Sequence, residues 1–412
     1  MSPRPRVAYI LGAVALAALL VPPVWAALAA AVVIVACVAD VVAARATPDV
    51  ERTAPRILAR GVPGVLALEA APGLRTVVRQ PTTAELRVEP QQAVRRVAGS
   101  IVGIRRGRHT LPAPAVRVDG PLGLGCRYRR SGEESEVLVY PDVPKARRLA
   151  RAARGGRLSA EGRRRGPLGL GTEFESVRDY QSDDDVRQIN WRATQRMGRP
   201  MSNQYRVERD RDVVCLIDCG RLTAAPVGDE TRLDIALDAA IAVAETADEL
   251  SDRVGAIAFD SGILRALSPR RRGARAVLAA VFDLEPRSVD SDYRRAFAAV
   301  SEGKRALVLV FTDLIEDAAA RPLLAAIPVL ARRHAVVVAS VADDDLEHLV
   351  VSEPDRPIDV YRAVAAGDVL EARDHVVAAL RHAGAQVLTA SRDAFPAACV
   401  RAYVQMKARG AF

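Results

Sequence analysis

The sequence predicts an α/β domain with a doubly wound parallel sheet, preceded by a two-helix transmembrane hairpin and a small β-sandwich module. Three patterns predict it: an uncharged apolar stretch over residues 7–39, short apolar runs about ten residues apart over 54–145, and alternating strands and helices from residue 213 onward. The 412 residues are 50% apolar and 26% charged, which excludes a disordered chain. We divide the chain into the hairpin (1–44), the β module (54–145), a basic linker (146–171), a mixed-charge segment (172–212) and the α/β domain (213–412).

The apolar stretch is interrupted by two consecutive prolines at positions 22 and 23, which separate the runs 7–21 and 24–39. As helices, these runs would each span roughly 22–24 Å, somewhat less than a ~30 Å hydrocarbon core. A cleaved signal peptide is one alternative, but a second apolar run directly follows its cleavage point. A single kinked span is another, but it would place the arginines of 45–60 outside. The hairpin keeps both basic flanks in the cytoplasm and is favoured.

The net charge of +9 is unevenly distributed along the chain. Residues 1–212 carry 35 Lys and Arg against 21 Asp and Glu, a net +14, whereas residues 213–412 carry 24 against 29, a net −5. The basic excess follows the hairpin, and no aromatic residue separates the arginines of the linker. This pattern indicates a positive-inside flank near membrane lipid and argues against nucleic-acid binding. We expect the hairpin in the inner membrane and the soluble modules in the cytoplasm, a reducing compartment that suits five scattered cysteines.

The α/β domain is predicted from continuous apolar runs, typical of strands buried on both faces, that alternate with helical periodicity. The predicted strands are 213–217, 254–259, 306–311, 335–341 and 386–389. The predicted helices are 233–250, 275–284, 293–300, 323–331 and 368–382, followed by a terminal helix.

Two aspartates follow predicted strands of this domain, Asp218 after 213–217 and Asp313 after 306–311. The carboxyl ends of parallel strands form binding sites in such sheets, and with Ser291 the aspartates would offer oxygen ligands to Mg²⁺ or Mn²⁺. Arg221 would add an unfavourable positive charge there, so the alternative that both aspartates only cap turns stays open. Cys219 adds another alternative, a metal-dependent or thiol hydrolase centred on Asp218, Asp313 and Cys219.

Other catalytic chemistry finds no support in the sequence. There is no P-loop motif, no pair of histidines at zinc-binding spacing and no nucleophile elbow. We therefore predict no catalytic residue, no small-molecule substrate and no resident cofactor apart from the Mg²⁺ or Mn²⁺ alternative.

The mixed-charge segment offers two interpretations. As a docking surface, its arginines and Trp191 would bind a partner protein. As an internal clasp, the favoured interpretation, its aromatic residues would pack against the sheet and its charges would pair with one another. The candidate residues are Glu173, Phe174, Arg178, Tyr180, Asp184, Asp185, Arg187, Trp191 and Arg196.

This segment closely resembles the signature of the bacterial family called domain of unknown function 58, which runs E-F-x-S-x-R-x-Y, a Pro-Gly-Asp-Asp turn, R-x-I-D-W and x-x-T-A-R. The chain departs from it at Ser182-Asp183, which replaces Pro-Gly, and at Asn190, which replaces Asp. Residues 119–124, 139–141, 361–365 and 402–407 also resemble parts of the family. The matching residues of the signature are Glu173, Phe174, Ser176, Arg178, Tyr180, Asp184, Asp185, Arg187, Ile189, Trp191, Thr194 and Arg196.

The resemblance implies a membrane-anchored protein with a β module and a von Willebrand factor type A-like domain, associated with MoxR-type AAA+ ATPases. In the metal site of type A domains, Asp218 and Asp313 would match the aspartates and Ser291 the threonine, whereas Gly220 and Leu222 replace both serines. We therefore predict a non-enzymatic adaptor in the cell membrane. It would work with a MoxR-type ATPase and with other membrane or envelope proteins.

Overall fold

A computed structural model describes residues 2–20, 22–45, 48–154, 173–181, 184, 186–206, 210–301, 304–314 and 317–412. The chain divides after Tyr140 into two compact units, each with its own hydrophobic core. The division lies close to the predicted end of the β module.

The first unit contains two apolar helices and an antiparallel-rich β module. Its helices are α1 (Pro5–Ala17) and α2 (Pro23–Ala43). Its strands are β1 (Ser2–Pro3), β2 (Val50–Thr53), β3 (Ile57–Ala59), β4 (Gly64–Ala70), β5 (Thr76–Arg79), β6 (Leu86–Glu89), β7 (Gln92–Val94), β8 (Arg96–Gly103), β9 (Gly107–Leu111), β10 (Ala115–Asp119), β11 (Gly125–Arg130) and β12 (Ser135–Tyr140).

Helix α2 begins at the second proline of the predicted turn, where the missing N–H costs nothing because the first helical N–H groups have no intrahelical partner. Within the described residues, Val24–Ala43 is the one helix long and apolar enough to cross a membrane. Helix α1 is apolar but has only 13 residues. Helix α2 exposes most of its large apolar side chains, among them Val35, and α1 exposes half of its own, among them Leu16.

The β module is built of three sheets, with strand orders β1-β11-β10-β5-β7, β2-β4-β8-β6 and β3-β12-β9. Alternating residues of β4 point inward, among them Leu66 and Leu68, so this strand buries one side. The pairs are antiparallel except β3 with β12, which is parallel and departs from the predicted antiparallel arrangement.

The second unit is an α/β domain with the mixed-charge segment and an additional helix in front. Its helices are α3 (Val143–Arg154), α4 (Trp191–Met197), α5 (Arg232–Glu249), α6 (Ala274–Val281), α7 (Tyr293–Ser301), α8 (Asp317–Ala331), α9 (Asp344–Val351), α10 (Pro357–His382) and α11 (Phe395–Ala408). Its strands are β13 (Glu173–Asp179), β14 (Met201–Arg206), β15 (Asp212–Asp218), β16 (Pro226–Val227), β17 (Glu230–Thr231), β18 (Arg253–Phe259), β19 (Ile263–Arg271), β20 (Ala306–Phe311), β21 (Ala335–Val341) and β22 (Gln386–Ala390).

Six of these strands form the central sheet, in the order β19-β18-β15-β20-β21-β22. Every neighbouring pair is parallel except β18 with β19, so the sheet is mixed and not wholly parallel as predicted. The residues of β15 are buried on both faces of the sheet. Val213, Cys215 and Ile217 face α5 and α11, while Val214 and Leu216 face α7 and α8.

The predicted basic linker begins within a helix. Helix α3 covers its residues 146–154, buries Ala146 and Ala150, and packs on α5, where Arg147 pairs with Glu245. The assignment of these residues to a linker is therefore wrong, because every third or fourth residue is an apolar one that packs. The rest of the linker lies outside the described residues.

Two residues of the closing helix α11 hold the amino-terminal end of strand β18. Asp252 precedes this strand and is 1% exposed. The Tyr403 hydroxyl donates to Asp252 Oδ2 at 2.5 Å, and Lys407 Nζ lies at the same distance from that oxygen. Because residues four apart lie on one helix face, both donors reach the same carboxylate.

Candidate functional site

The carboxyl edge of the central sheet places Asp218 at the end of β15 with four hydrogen-bond donors. Oδ1 accepts from Gly220 N at 2.8 Å and from Ser291 Oγ at 2.5 Å. Oδ2 accepts from Tyr293 Oη at 2.8 Å and from Thr312 Oγ1 at 2.7 Å. Asp218 is 1% exposed, and these four contacts use both lone pairs of each oxygen.

Tyr293, the first residue of α7, closes the Asp218 cluster from the side. Its ring is 3% exposed and packs edge-on against Phe259 and Phe297. Burial and the neighbouring Asp218 carboxylate raise the pKa of Tyr293 well above its usual value. The phenol therefore stays protonated and remains a hydrogen-bond donor to Asp218.

The second predicted ligand, Asp313, is surrounded by two arginines. Arg232, at the first position of α5, approaches Oδ2 with Nε at 3.1 Å and donates from Nη1 to Oδ1 at 3.3 Å. Arg373 of α10 lies 3.9 Å from Oδ1, which also accepts from Leu314 N at 2.9 Å and Ser340 Oγ at 3.2 Å. Burial raises the pKa of Asp313, and the two arginines oppose that rise.

The donors at this edge do not fit a divalent cation. Mg²⁺ needs several oxygen atoms with free lone pairs, and it keeps several waters. Asp218 is saturated with donors and Asp313 is paired with cations. The cavity beside Arg232, Thr312 and Asp313 has a volume of about 10 Å³, roughly the space of one water. In the described residues, no group of three or more His, Cys, Asp or Glu is arranged to hold a metal.

Position 220 has no room for a side chain in this arrangement. A Cβ atom added to Gly220 would lie 2.2 Å from Ser291 Oγ and 2.9 Å from the Val289 carbonyl oxygen. Ser291 occupies this space in order to donate to Asp218. A side chain at position 220 and the Ser291 hydroxyl therefore exclude each other in this arrangement.

The Cys219 thiol is not accessible to a substrate. The residue is fully buried, and its Sγ lies 3.8 Å from the Ile217 carbonyl oxygen. Its backbone is fixed by hydrogen bonds to Phe259 and Arg287. A hydrolase centred on Cys219 would need both water and substrate to reach this thiol, which the closed backbone does not provide.

The mixed-charge segment folds as a two-stranded ribbon, β13 with β14, whose connection contains α4. Arg178 pairs with Asp184 at 2.6 Å, and the Tyr180 hydroxyl donates to the Asp184 carbonyl oxygen at 3.2 Å. The N–H of Gln181 and then the Arg178 guanidinium lower the pKa of Asp184. This part of the segment pairs internally. Asp185 and the side chains of Glu173, Phe174 and Arg187 lie outside the described residues.

Helix α4 is held by its polar side chains. Asn190 caps it by accepting from Ala193 N at 3.0 Å and donates from Nδ2 to Asn203 Oδ1 at 2.8 Å. Thr194 Oγ1 accepts from Met201 N at 2.9 Å. The amide of Asn190, which replaces the aspartate of the family signature, thus provides the donor that joins α4 to β14.

Much of the surface of α4 and of the turn before it is exposed. Trp191 is 70% exposed, Val186 64% and Met197 53%, and Arg196 is also exposed. Trp191 does not pack against the sheet, so the clasp hypothesis is wrong for this residue. Residues 186–199 contain four arginines and no acidic residue. We call the exposed side chains of Val186, Trp191, Arg192, Arg196 and Met197 the α4 face.

Sequence reasoning missed three residues of the carboxyl edge: Arg232, Tyr293 and Arg373. One signal for Arg232 was available, because a cation in the first turn of a helix opposes the helix dipole and needs a compensating anion. Tyr293 and Arg373 gave no such signal, since they lie on α7 and α10, away from the chain positions of the aspartates they contact.

These features define an α/β domain with a six-stranded mixed sheet, buried aspartates at its carboxyl edge that include Asp218 and Asp313, and an appended β-ribbon with an exposed helix. Residues 176–353 match the family described as protein of unknown function DUF58, so the chain carries a region of that family and the resemblance seen in the sequence is confirmed. The matched region contains the α4 face, Asp218 and Asp313. No curated protein matches the chain at a significant level.

Proposed function

We propose that the protein is a membrane-anchored, non-enzymatic adaptor whose α4 face binds a partner protein. The observation that carries this proposal is the exposure of Trp191, a residue type that is enriched at the centres of protein interfaces. It is the first residue of a helix capped at both ends, which limits the backbone entropy lost when a partner covers it.

The two-helix hairpin is supported by contacts within the first unit. Strand β1, which precedes α1, pairs with β11, and Arg4 pairs with Asp119 at 3.3 Å. The carboxyl-terminal part of α2 returns to the same place, because Asp40 accepts hydrogen bonds from residues 122–125. Since the outer ends of both helices meet one loop of the β module, the chain would leave and re-enter the membrane on one side.

The orientation of the two helices in the membrane is inferred from the arginines that flank them. Arg4, Arg6 and the arginines of residues 45–60 flank the ends of the helices that meet the β module. Arginine-rich flanks are retained on the cytoplasmic side and interact there with anionic lipid. We therefore infer that the helices insert in the inner membrane and that both units lie in the cytoplasm.

A von Willebrand factor type A-like architecture is supported by the strand order. When the six strands of the central sheet are numbered in chain order, they lie across the sheet in the order 3-2-1-4-5-6, the order of doubly wound sheets. One edge strand is antiparallel. Helices cover both faces. The resemblance to the DUF58 family implies an association with MoxR-type AAA+ ATPases, and we propose such an ATPase as the partner.

The chemistry of the α4 face specifies what this partner should present. The face combines an aromatic and two aliphatic side chains with exposed Arg192 and Arg196. Arginine binds carboxylates through two parallel hydrogen bonds, and Trp191 needs an apolar pocket. The partner should therefore offer acidic residues around an apolar depression.

The test is binding of the purified MoxR-type ATPase from the same genome to the full chain in lipid nanodiscs. We expect Trp191→Ala to weaken binding about 30-fold or more, the loss typical of an interface centre. Tyr361→Ala is the matched control, because Tyr361 is 73% exposed on α10 of the same unit. Arg294→Ala is the control for Arg196→Ala, because the Arg294 side chain is exposed on α7.

Both α4 variants should keep the thermal unfolding midpoint of the parent chain, because neither side chain is buried. Equal affinities of Trp191→Ala and Tyr361→Ala for the ATPase would refute the assignment of the α4 face. A hydrolytic activity lost in Asp218→Asn would refute the non-enzymatic assignment.

A further inference from the structure

We propose that the guanidinium of Arg232 is the resident cation of the carboxyl edge, bound to Asp313, one of the two aspartates that would match the metal site of a type A domain. The edge would then be fixed permanently by the chain itself, and Mg²⁺ or Mn²⁺ would neither bind there nor control the domain. This inference concerns the sheet edge and does not depend on the α4 face.

The first argument is the set of contacts that Arg232 makes. Besides both oxygens of Asp313, Nη1 donates to the Val341 carbonyl oxygen at 2.9 Å and Nη2 pairs with Asp343 Oδ2 at 2.6 Å. The Nε–Oδ2 pair at 3.1 Å is an ion pair without hydrogen-bond alignment. Arg232 is 6% exposed and thus binds oxygen atoms that follow β20 and β21, as a metal would.

The second argument is charge balance. Asp313 and Asp343 contribute two negative charges, and Arg232 and Arg373 contribute two positive charges. Arg373 Nη2 donates to Ser340 Oγ at 2.8 Å and to the Val341 carbonyl oxygen. A divalent cation added to this group would find both of its carboxylates already neutralised by arginines, which is unfavourable.

The third argument is the position of Arg232 at the start of α5. The helix is already capped, because Thr231 Oγ1 accepts from Asp234 N and Asp234 Oδ2 accepts from Thr231 N. Cations are unfavourable at a helix N-terminus. Arg232 does not stabilise α5 through the helix dipole. Its position is explained by its ion pairs with the carboxylates of Asp313 and Asp343.

The fourth argument is that Asp218 offers no alternative place for a metal. Its four contacts are made by one N–H and three hydroxyls. A metal would have to displace at least one of them. A serine introduced at position 220 could not act as an additional ligand unless Ser291 moved.

The experiment uses the full chain in nanodiscs and begins with the parent protein. Mn²⁺ binding is followed by electron paramagnetic resonance, and thermal unfolding is measured with EDTA, Mg²⁺ or Mn²⁺. We expect no saturable Mn²⁺ site with a dissociation constant below about 1 mM at this edge, the weak limit for protein cation sites. We also expect one unfolding midpoint in all three solutions.

Arg232→Ala tests the role of the guanidinium directly. It leaves Asp313 and Asp343 without their main partner, so the midpoint should fall by roughly 6–20 °C. Methylguanidinium should restore part of this loss in Arg232→Ala and none in the parent chain, whereas methylammonium should not. Should Arg232→Ala fail to fold, Arg232→Lys replaces it: the charge is kept but the planar fork is lost, and the midpoint should again fall.

A Mn²⁺ site that is present in the parent chain and lost in Asp218→Asn or Asp313→Asn would overturn the proposal. So would an unchanged midpoint in Arg232→Ala. Mn²⁺ binding retained by both aspartate variants lies elsewhere and agrees with the proposal for this edge.

Discussion

Replacement of Asp40 by asparagine is predicted to open the contact between α2 and the β module. Asp40 is 1% exposed. Its Oδ1 accepts from Leu122 N at 2.7 Å, and its Oδ2 accepts from Leu124 N and Gly125 N, both at 2.8 Å. The surrounding backbone is close-fitting, since a Cβ atom on Gly120 would lie 2.3 Å from this carboxyl group.

The free energy lost in Asp40→Asn can be worked out from the number of hydrogen-bond donors to this side chain. Three N–H groups donate to a charged acceptor, and each such bond contributes about 1.5–3 kcal/mol, compared with about 0.5–1.5 kcal/mol for a neutral one. Asparagine keeps one oxygen, which can accept two of the bonds, and its amide group then faces the third N–H. Because asparagine also avoids burying a charge, we expect a net loss of about 2–4 kcal/mol.

The assay is hydrogen exchange with mass spectrometry on the full chain in nanodiscs, read on peptides that cover residues 120–126. A loss of about 2–4 kcal/mol should accelerate exchange roughly 30- to 700-fold. Asp49→Asn makes the same chemical change at an exposed position and should leave these peptides unchanged. Unchanged exchange at 120–126 in Asp40→Asn would refute the reasoning, as would an equal acceleration at β15.

Three further predictions concern the second unit. Burial, followed by the charges of nearby arginines, lowers the pKa of His334, so the unfolded chain takes up the proton first; the unfolding midpoint should fall as the pH drops below about 6.5, and less so in His334→Asn. Tyr403→Phe removes one donor to buried Asp252 and should lower the free energy of unfolding in urea by about 1.5–3 kcal/mol; no change would show that the hydrogen bond is not needed. Burial raises the pKa of Cys215 to about 12 and that of Cys399 well above its usual value, so neither thiol should be alkylated before unfolding, as mass spectrometry can establish.

The strands of the central sheet could be predicted where their burial is complete. The predicted strands 254–259, 306–311 and 335–341 agree with β18, β20 and β21 to within one residue, because a continuous apolar run of six or seven residues is typical of a strand buried on both faces. Strand β19 was missed. It is an edge strand with exposed arginines and Pro269, a composition typical of loops as well as of protected sheet edges.

Helix α10 shows that apolar periodicity predicts only the part of a helix that packs against a core. The sequence predicts a helix over 368–382, whereas the structure begins it at Pro357. The first two turns expose Ile358, Tyr361 and Val364, so no apolar stripe there faces a core. A method that identifies helices by their buried side detects only the part of α10 that packs.

The carboxyl edge could be predicted in position but not in chemistry. Parallel strands bring Asp218 and Asp313 to one edge, as expected from the strand pattern. What surrounds each aspartate depends on side chains from α5, α7 and α10, and a strand pattern carries no information about these. From the sequence, the two carboxylates suggest a metal site. In the structure, hydroxyl donors surround Asp218 and arginines surround Asp313.

The two aspartates therefore act as cross-links between successive loops. Asp218 joins the end of β15 to the start of α7 and to Thr312 after β20, while Asp313 joins the end of β20 to α5 and α10. Each cross-link uses polar groups that could otherwise be offered to a ligand, and together they close the edge where doubly wound sheets usually bind. Within the described residues, the side chains of the α4 face are exposed and make no comparable cross-link. Recognition by this domain is therefore expected at α4 and not at the sheet edge.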